Sequence, residues 1–142
     1  MVISAFHGTD CRMDSFGKIT GTLFLTDNPG LAKMFGENVY RISVTAEKVF
    51  EVDWDGCSWG GGFFPDDHEL FDSFIEYASY GCAEEREYWE DNGMCVDMLA
   101  SFLFDKGFDM LIVHNVAEEN GFSKTEYVVS DICKLRSITE SA

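Results

Sequence analysis

Residues 5–9 read AFHGT, and an apolar run at 21–26 (GTLFLT) leads into DNPGLAKMFG at 27–36. Several residue types in these stretches could hold a flat ligand. His7 offers hydrogen-bond donor and acceptor capacity suited to a sugar hydroxyl. Gly8 has no Cβ, so a ligand can approach main-chain N–H and C=O groups closely. Phe24 and Phe35, eleven residues apart, supply two ring faces for offset stacking. Together they outline a pocket for a planar ring that carries an amide.

The elements that must position these residues follow from local pattern. Residues 2–6 are a short apolar run with β-branched members and predict a buried strand, with His7 and Gly8 emerging at its carboxyl end. A helix is predicted over 29–35, with Asp27 or Asn28 as N-cap, Pro29 in the first turn and Gly36 as the C-terminal cap. Further strands are expected at 22–26, 39–44, 48–53, 109–114, 126–130 and 134–138. Apolar residues at helical spacing predict a helix over 66–80, capped by Asp66 or Asp67. A second helical stretch covers 83–106, with a break at Gly93 and a stop at Gly107. The glycine-rich residues 56–65 (GCSWGGGFFP) lack the lysine of a phosphate-binding loop. They read as a mobile loop near the pocket.

This succession resembles the ADP-ribosyltransferase family of the diphtheria toxin and poly(ADP-ribose) polymerase type, the His-Tyr-Glu class. Members carry His-Gly-Ser/Thr at a strand end, tyrosines on the next strand and helix, and a catalytic glutamate on a late strand. Here the late strand reads TEYVVSDI at 125–132 and puts Glu126 on the catalytic position. The GFDMLIV run at 107–113 is similar to a late segment of small phage and mobile-element members. The resemblance implies NAD as substrate. It assigns His7 to the adenosine ribose, Gly8 to the nicotinamide carboxamide, and Phe24 and Phe35 to the two ring-stacking positions. Thr9 completes the His-Gly-Thr motif, Arg12 and Lys18 are the cations available to the pyrophosphate, and Glu126 contacts the 2′-hydroxyl of the nicotinamide ribose. The two phenylalanines lack the family's hydroxyls, and Ala32 stands where members often have a serine. Each hydrogen bond so lost is worth about 0.5–1.5 kcal/mol. Lys124, two residues before Glu126, disfavours arginine as the acceptor.

The fold class expected is α+β, a split pair of small antiparallel sheets with surrounding helices and NAD in the cleft between them. With 142 residues, 46% hydrophobic and 15% aromatic, the chain suits one core. Residues 1–142 then form a single domain with an acidic, largely helical insertion at about 56–106. No apolar run approaches the roughly 20 residues of a membrane span. No basic segment precedes an apolar one at the amino terminus, which argues against a secretory leader. Five cysteines without a Cys-x-x-Cys pair point to a reducing, cytoplasmic setting.

Charge bounds the partners. The net charge is −16, and residues 49–105 hold fifteen acidic side chains against one basic, Arg86. Such a field repels nucleic acid and favours a protein partner with a basic surface. A solvated, solubilising surface is the plain alternative. His68 and His114 have no metal-ligand partners at useful spacing, so no metal site is expected. Asp109 is the best spare carboxylate, and Glu118 and Glu119 lie in the loop before Glu126. The expected function is a mono-ADP-ribosyltransferase that modifies a host protein, in a phage or mobile-element effector against a CRISPR complex or RNA polymerase. The alternatives are a non-catalytic acidic inhibitor that mimics nucleic acid, and an NAD glycohydrolase toxin.

Overall fold

Alternation builds the strands. In residues 38–45 (NVYRISVT), Tyr40, Ile42 and Val44 point inward and are buried, while Arg41 between them is exposed. This is the period-2 signature of a strand with one buried face. The computed structural model describes residues 1–10, 23–58, 61–79, 93–117, 123–130 and 134–140. In chain order the elements are β1 (Val2–Thr9), β2 (Leu23–Thr26), α1 (Pro29–Lys33), β3 (Asn38–Thr45) and β4 (Val49–Asp53). They continue with α2 (Phe71–Ser79), α3 (Val96–Asp105), β5 (Met110–Ala117), β6 (Ser123–Val129) and β7 (Lys134–Glu140). The fold is α+β.

The strands join in the order β4-β5-β6-β2-β1-β3-β7. The joint between β2 and β1 is a single residue pair, Phe6 with Thr26, whereas β1 and β3 share eight pairs. The sheet is therefore two lobes, β4-β5-β6-β2 and β1-β3-β7, that part beyond one contact. Ile42 of β3 and Met110 of β5 belong to one buried cluster, although three strands separate them in the sheet. The sheet must curl strongly for those side chains to meet. A second cluster forms where α2 and α3 cover the opposite face of β4, β5 and β6 through Phe74, Leu99, Phe102, Leu111 and Val128.

Several details differ from the sequence expectation. β4 and β5 pair in parallel, because the helical segment between them acts as a crossover. β1 runs on to Thr9, so His7 and Gly8 sit inside a strand, held by pairing to Tyr40 and Val39. The Asn28 side chain accepts the Leu31 N–H at 3.0 Å as the N-cap of α1, but α1 closes at Met34 and Gly36 is no cap. A Cβ on Gly36 would instead overlap the backbone of Thr9 and Asp10. α2 starts at Phe71, preceded by a turn in which the Leu70 N–H donates to His68 Nδ1 at 3.0 Å. Asp66 and Asp67 precede that turn and do not cap the helix. The glycine-rich segment is tied into the fold, with Gly62 and Met94 exchanging backbone hydrogen bonds and Ser58 bridging Ala117. None of its described residues reaches the pocket.

The end of α3 follows expectation. Gly107 adopts φ +91°, the Phe108 N–H donates to the Leu103 carbonyl, and the Gly107 N–H donates to that of Phe104. This paired closure satisfies carbonyls that the helix leaves open.

Candidate functional site

The parting of β1 and β2 opens a pocket of about 440 Å³. β1 lines it with Phe6, His7 and Gly8, and β2 with Phe24, Leu25 and Thr26. Ala32 of α1 and Phe35 close one side, and Glu126 of β6 and Asp97 of α3 complete the wall.

His7 spans the split. Its Nδ1 lies 2.8 Å from the Phe24 carbonyl oxygen. A carbonyl can only accept, so Nδ1 carries the proton and donates. The ring thus ties β1 to β2 just where the ladder has ended. Gly8 is required by the fold as well as by any ligand. A Cβ there would overlap the Ala32 carbonyl, so only glycine lets α1 lie against the β1 backbone. That close approach carries Ala32 and Phe35 to the pocket.

The two aromatic walls differ. Phe24 is half-buried and packs on the core that α2 and α3 cover. Phe35 is 66% exposed at the mouth. Glu126 is 5% exposed, on a strand flanked by β5 and β2, opposite Val113 and Thr26. Asp97 is exposed and lies in the first turn of α3.

His7, Gly8, Phe24, Phe35 and Glu126 therefore come from three strands and the segment after α1 to one cavity. Thr9 pairs with Asn38 in β1 and β3 and does not line it. Arg12 and Lys18 lie outside the described residues, as do Glu118 and Glu119. Sequence reasoning missed Thr26 and Asp97. Thr26 reaches Glu126 only through strand pairing, and an acid in the first turn of an amphipathic helix reads as a solvated end.

The other chemistry-bearing residues have fold roles. The Asp109 carboxylate accepts the Glu47 and Lys48 N–H groups at 2.8 and 2.7 Å. It clamps the β3–β4 turn rather than standing spare. The His68 ring packs 5.0 Å from Phe50 and 5.6 Å from Phe64. His114 Nδ1 lies 3.4 Å from Thr125 Oγ1. Asn115 and the Asp55 N–H donate to the Asp53 carboxylate and hold it below its usual range. Among the described residues no three His, Cys, Asp or Glu gather as a metal site.

No protein-family model matches the chain, and no curated protein does. One solved structure does: the crystal structure of an anti-CRISPR protein. It is 14% identical, with a TM-score of 0.55 over 99% of this chain and 96% of that one. The two share a fold. The α+β arrangement described above thus occurs at full length in another protein of similar size.

Proposed function

We propose that this chain is an inhibitor of a nucleic-acid-handling assembly of the CRISPR type, acting on a protein partner with a basic surface. The full-length likeness to an anti-CRISPR protein and the net charge of −16 support that much together. No helix among the described residues is long and apolar enough to cross a membrane.

The chemistry the cleft supports best is transfer of one ADP-ribose from NAD to that partner. The observation that carries it is Glu126, a carboxylate buried beside aromatic walls, His7 and Gly8 in one cavity. Burying a carboxylate is costly, and a carboxylate set in a cleft is a functional-site signature. The cavity has room for a flat ring and its ribose. Breaking the nicotinamide glycosidic bond develops positive charge at the anomeric carbon, as in oxocarbenium-like transition states. A fixed carboxylate stabilises that charge. Nicotinamide departs with the bonding electron pair as a neutral molecule, so no acid must protonate it. The acceptor nucleophile then bonds to the anomeric carbon.

A second reading rests on the acidity alone. A protein with fifteen acidic side chains between residues 49 and 105 can occupy a basic groove stoichiometrically, with no chemistry. The full-length likeness to an anti-CRISPR protein fits this simpler reading without further assumption.

The test incubates wild type and Glu126→Gln with labelled NAD and a CRISPR surveillance complex, following label on protein, nicotinamide release and inhibition. The transfer reading expects labelled target from wild type and at least about 100-fold less from Glu126→Gln. Nicotinamide release without labelled protein makes the chain a glycohydrolase. Inhibition at one-to-one stoichiometry without NAD, equal in both proteins, establishes the acidic inhibitor and sinks the transfer reading.

A further inference from the structure

The β1–β3 register sets Ser4 opposite Ser43 and Phe6 opposite Arg41. With a period of two, these residues share the sheet face opposite the buried Ala5 and Ile42. Arg41 Nε donates to Ser4 Oγ at 3.1 Å, and Ser43 Oγ donates to the same oxygen at 3.0 Å. The guanidinium carbon lies 5.7 Å from the centre of the Phe6 ring. Phe6 also lines the cleft, whereas Arg41 and Ser4 do not, so the Phe6 ring is what links the cation to the cavity.

The hydrogen-bond count in this trio is uneven. A serine hydroxyl accepts twice and donates once. Ser4 Oγ already accepts from Arg41 and Ser43, so its own hydrogen must go elsewhere. The η nitrogens of Arg41 retain their fork of N–H donors. Among the described residues neither Ser4 nor these nitrogens meets an acceptor. Packing on Phe6 explains where the guanidinium rests but leaves those donors unused.

We propose that Arg41 and the Ser4 hydroxyl, next to the Phe6 wall of the cleft, form a phosphate-binding site for the diphosphate of a dinucleotide. The inference rests on the NAD reading of the cleft. A cavity of about 440 Å³ takes the nicotinamide riboside end, and the diphosphate is the next group along the molecule. In a chain of net charge −16, an anion needs a fixed local cation. Lys48 is engaged with the Lys106 carbonyl at 3.2 Å and the Phe108 ring at 4.4 Å, and Lys106 lies over Phe102. Lys33 is exposed at the end of α1, whereas Arg41 is fixed by Ser4 and Phe6. Arg41 is exposed, and its planar fork matches two phosphate oxygens.

The test measures binding of NAD, ADP-ribose and nicotinamide to the full chain and to Arg41→Gln and Arg41→Lys, with thermal melts to verify folding. Gln keeps the stem against Phe6 and removes the charge. Arg41→Gln is expected to weaken ADP-ribose and NAD about ten-fold or more, the value of a charge-assisted hydrogen bond, and to leave nicotinamide unchanged. Arg41→Lys recovers part of the loss. Unchanged ADP-ribose affinity in a folded Arg41→Gln overturns the site. Equal weakening of nicotinamide and ADP-ribose also overturns it, by assigning Arg41 to the shape of the Phe6 wall. Wild type that binds neither NAD nor ADP-ribose removes the NAD reading itself, a different failure.

Discussion

At the scale of the residue, the site sets one buried carboxylate against one exposed carboxylate. Glu126 is enclosed in the sheet, whereas Asp97 stands in water in the first turn of α3. In the transfer reading these positions divide the work, with Glu126 beside the sugar and Asp97 where an acceptor arrives and gives up its proton. Asp97→Asn is expected to lower transfer to the protein target about 100-fold with the NAD dissociation constant unchanged. Single-turnover labelling across pH checks this, and wild-type rates would leave Asp97 only its contribution to the helix start. The aromatic walls divide similarly. Phe35→Ala removes a ring that is 66% exposed, so its melting free energy should stay within about 0.5 kcal/mol of wild type. Its NAD affinity should fall by about 0.5–1.5 kcal/mol, the value of a stacked ring. Calorimetry and thermal melts separate those two quantities.

At the scale of the element, the pocket depends on α1 lying against β1. Gly8→Ala forces a methyl into the Ala32 carbonyl, and neither backbone can give without moving the other. A loss of about 1–3 kcal/mol is expected, along with, in the transfer reading, loss of NAD binding, measured by denaturant unfolding and titration. The β3–β4 turn depends on a side chain from distant sequence. Asp109 is 7% exposed and accepts two backbone N–H groups. Asp109→Ala leaves both donors unpaired and should cost about 1.5–3 kcal/mol or more, read as a lowered urea midpoint. Asp109 does not line the pocket, so in the transfer reading NAD binding by the folded fraction should survive.

At the scale of the whole molecule, the charge governs encounter. A net charge of −16 steers the chain toward basic partners over distances set by ionic strength. The association rate with the target complex should fall by about ten-fold or more between roughly 0.05 and 0.5 M salt, while in the transfer reading NAD turnover by the free protein changes little. Stopped-flow association at several salt concentrations tests this. A salt-independent rate would put the acidic surface outside the interface.

Much of this was legible in the sequence. Short apolar runs marked β1 and β5, alternation marked β3 and β4, the Asn28-Pro29 pair marked the start of α1, and Gly107 marked the end of α3, because each is decided by neighbours within a turn or a pleat. The residue types of the cleft, His7, Gly8, Phe24, Phe35 and Glu126, were also readable as a set. Partnership was not. Thr26 meets Glu126 through strand pairing, Asp97 arrives on a helix 29 residues upstream of Glu126, and Arg41 meets Phe6 across the pairing of β1 with β3. Gly36, read as a helix cap, serves contact with Thr9, and Asp109, read as a spare acid, holds a turn. The sequence by itself determined which segments are strands and helices and which side chains can do chemistry, since both follow from local backbone preference and side-chain type. Only the tertiary structure decided which of them face one cavity. That depends on where β1 and β2 part, and a single residue pair, Phe6 with Thr26, sets it through contacts far apart in the chain.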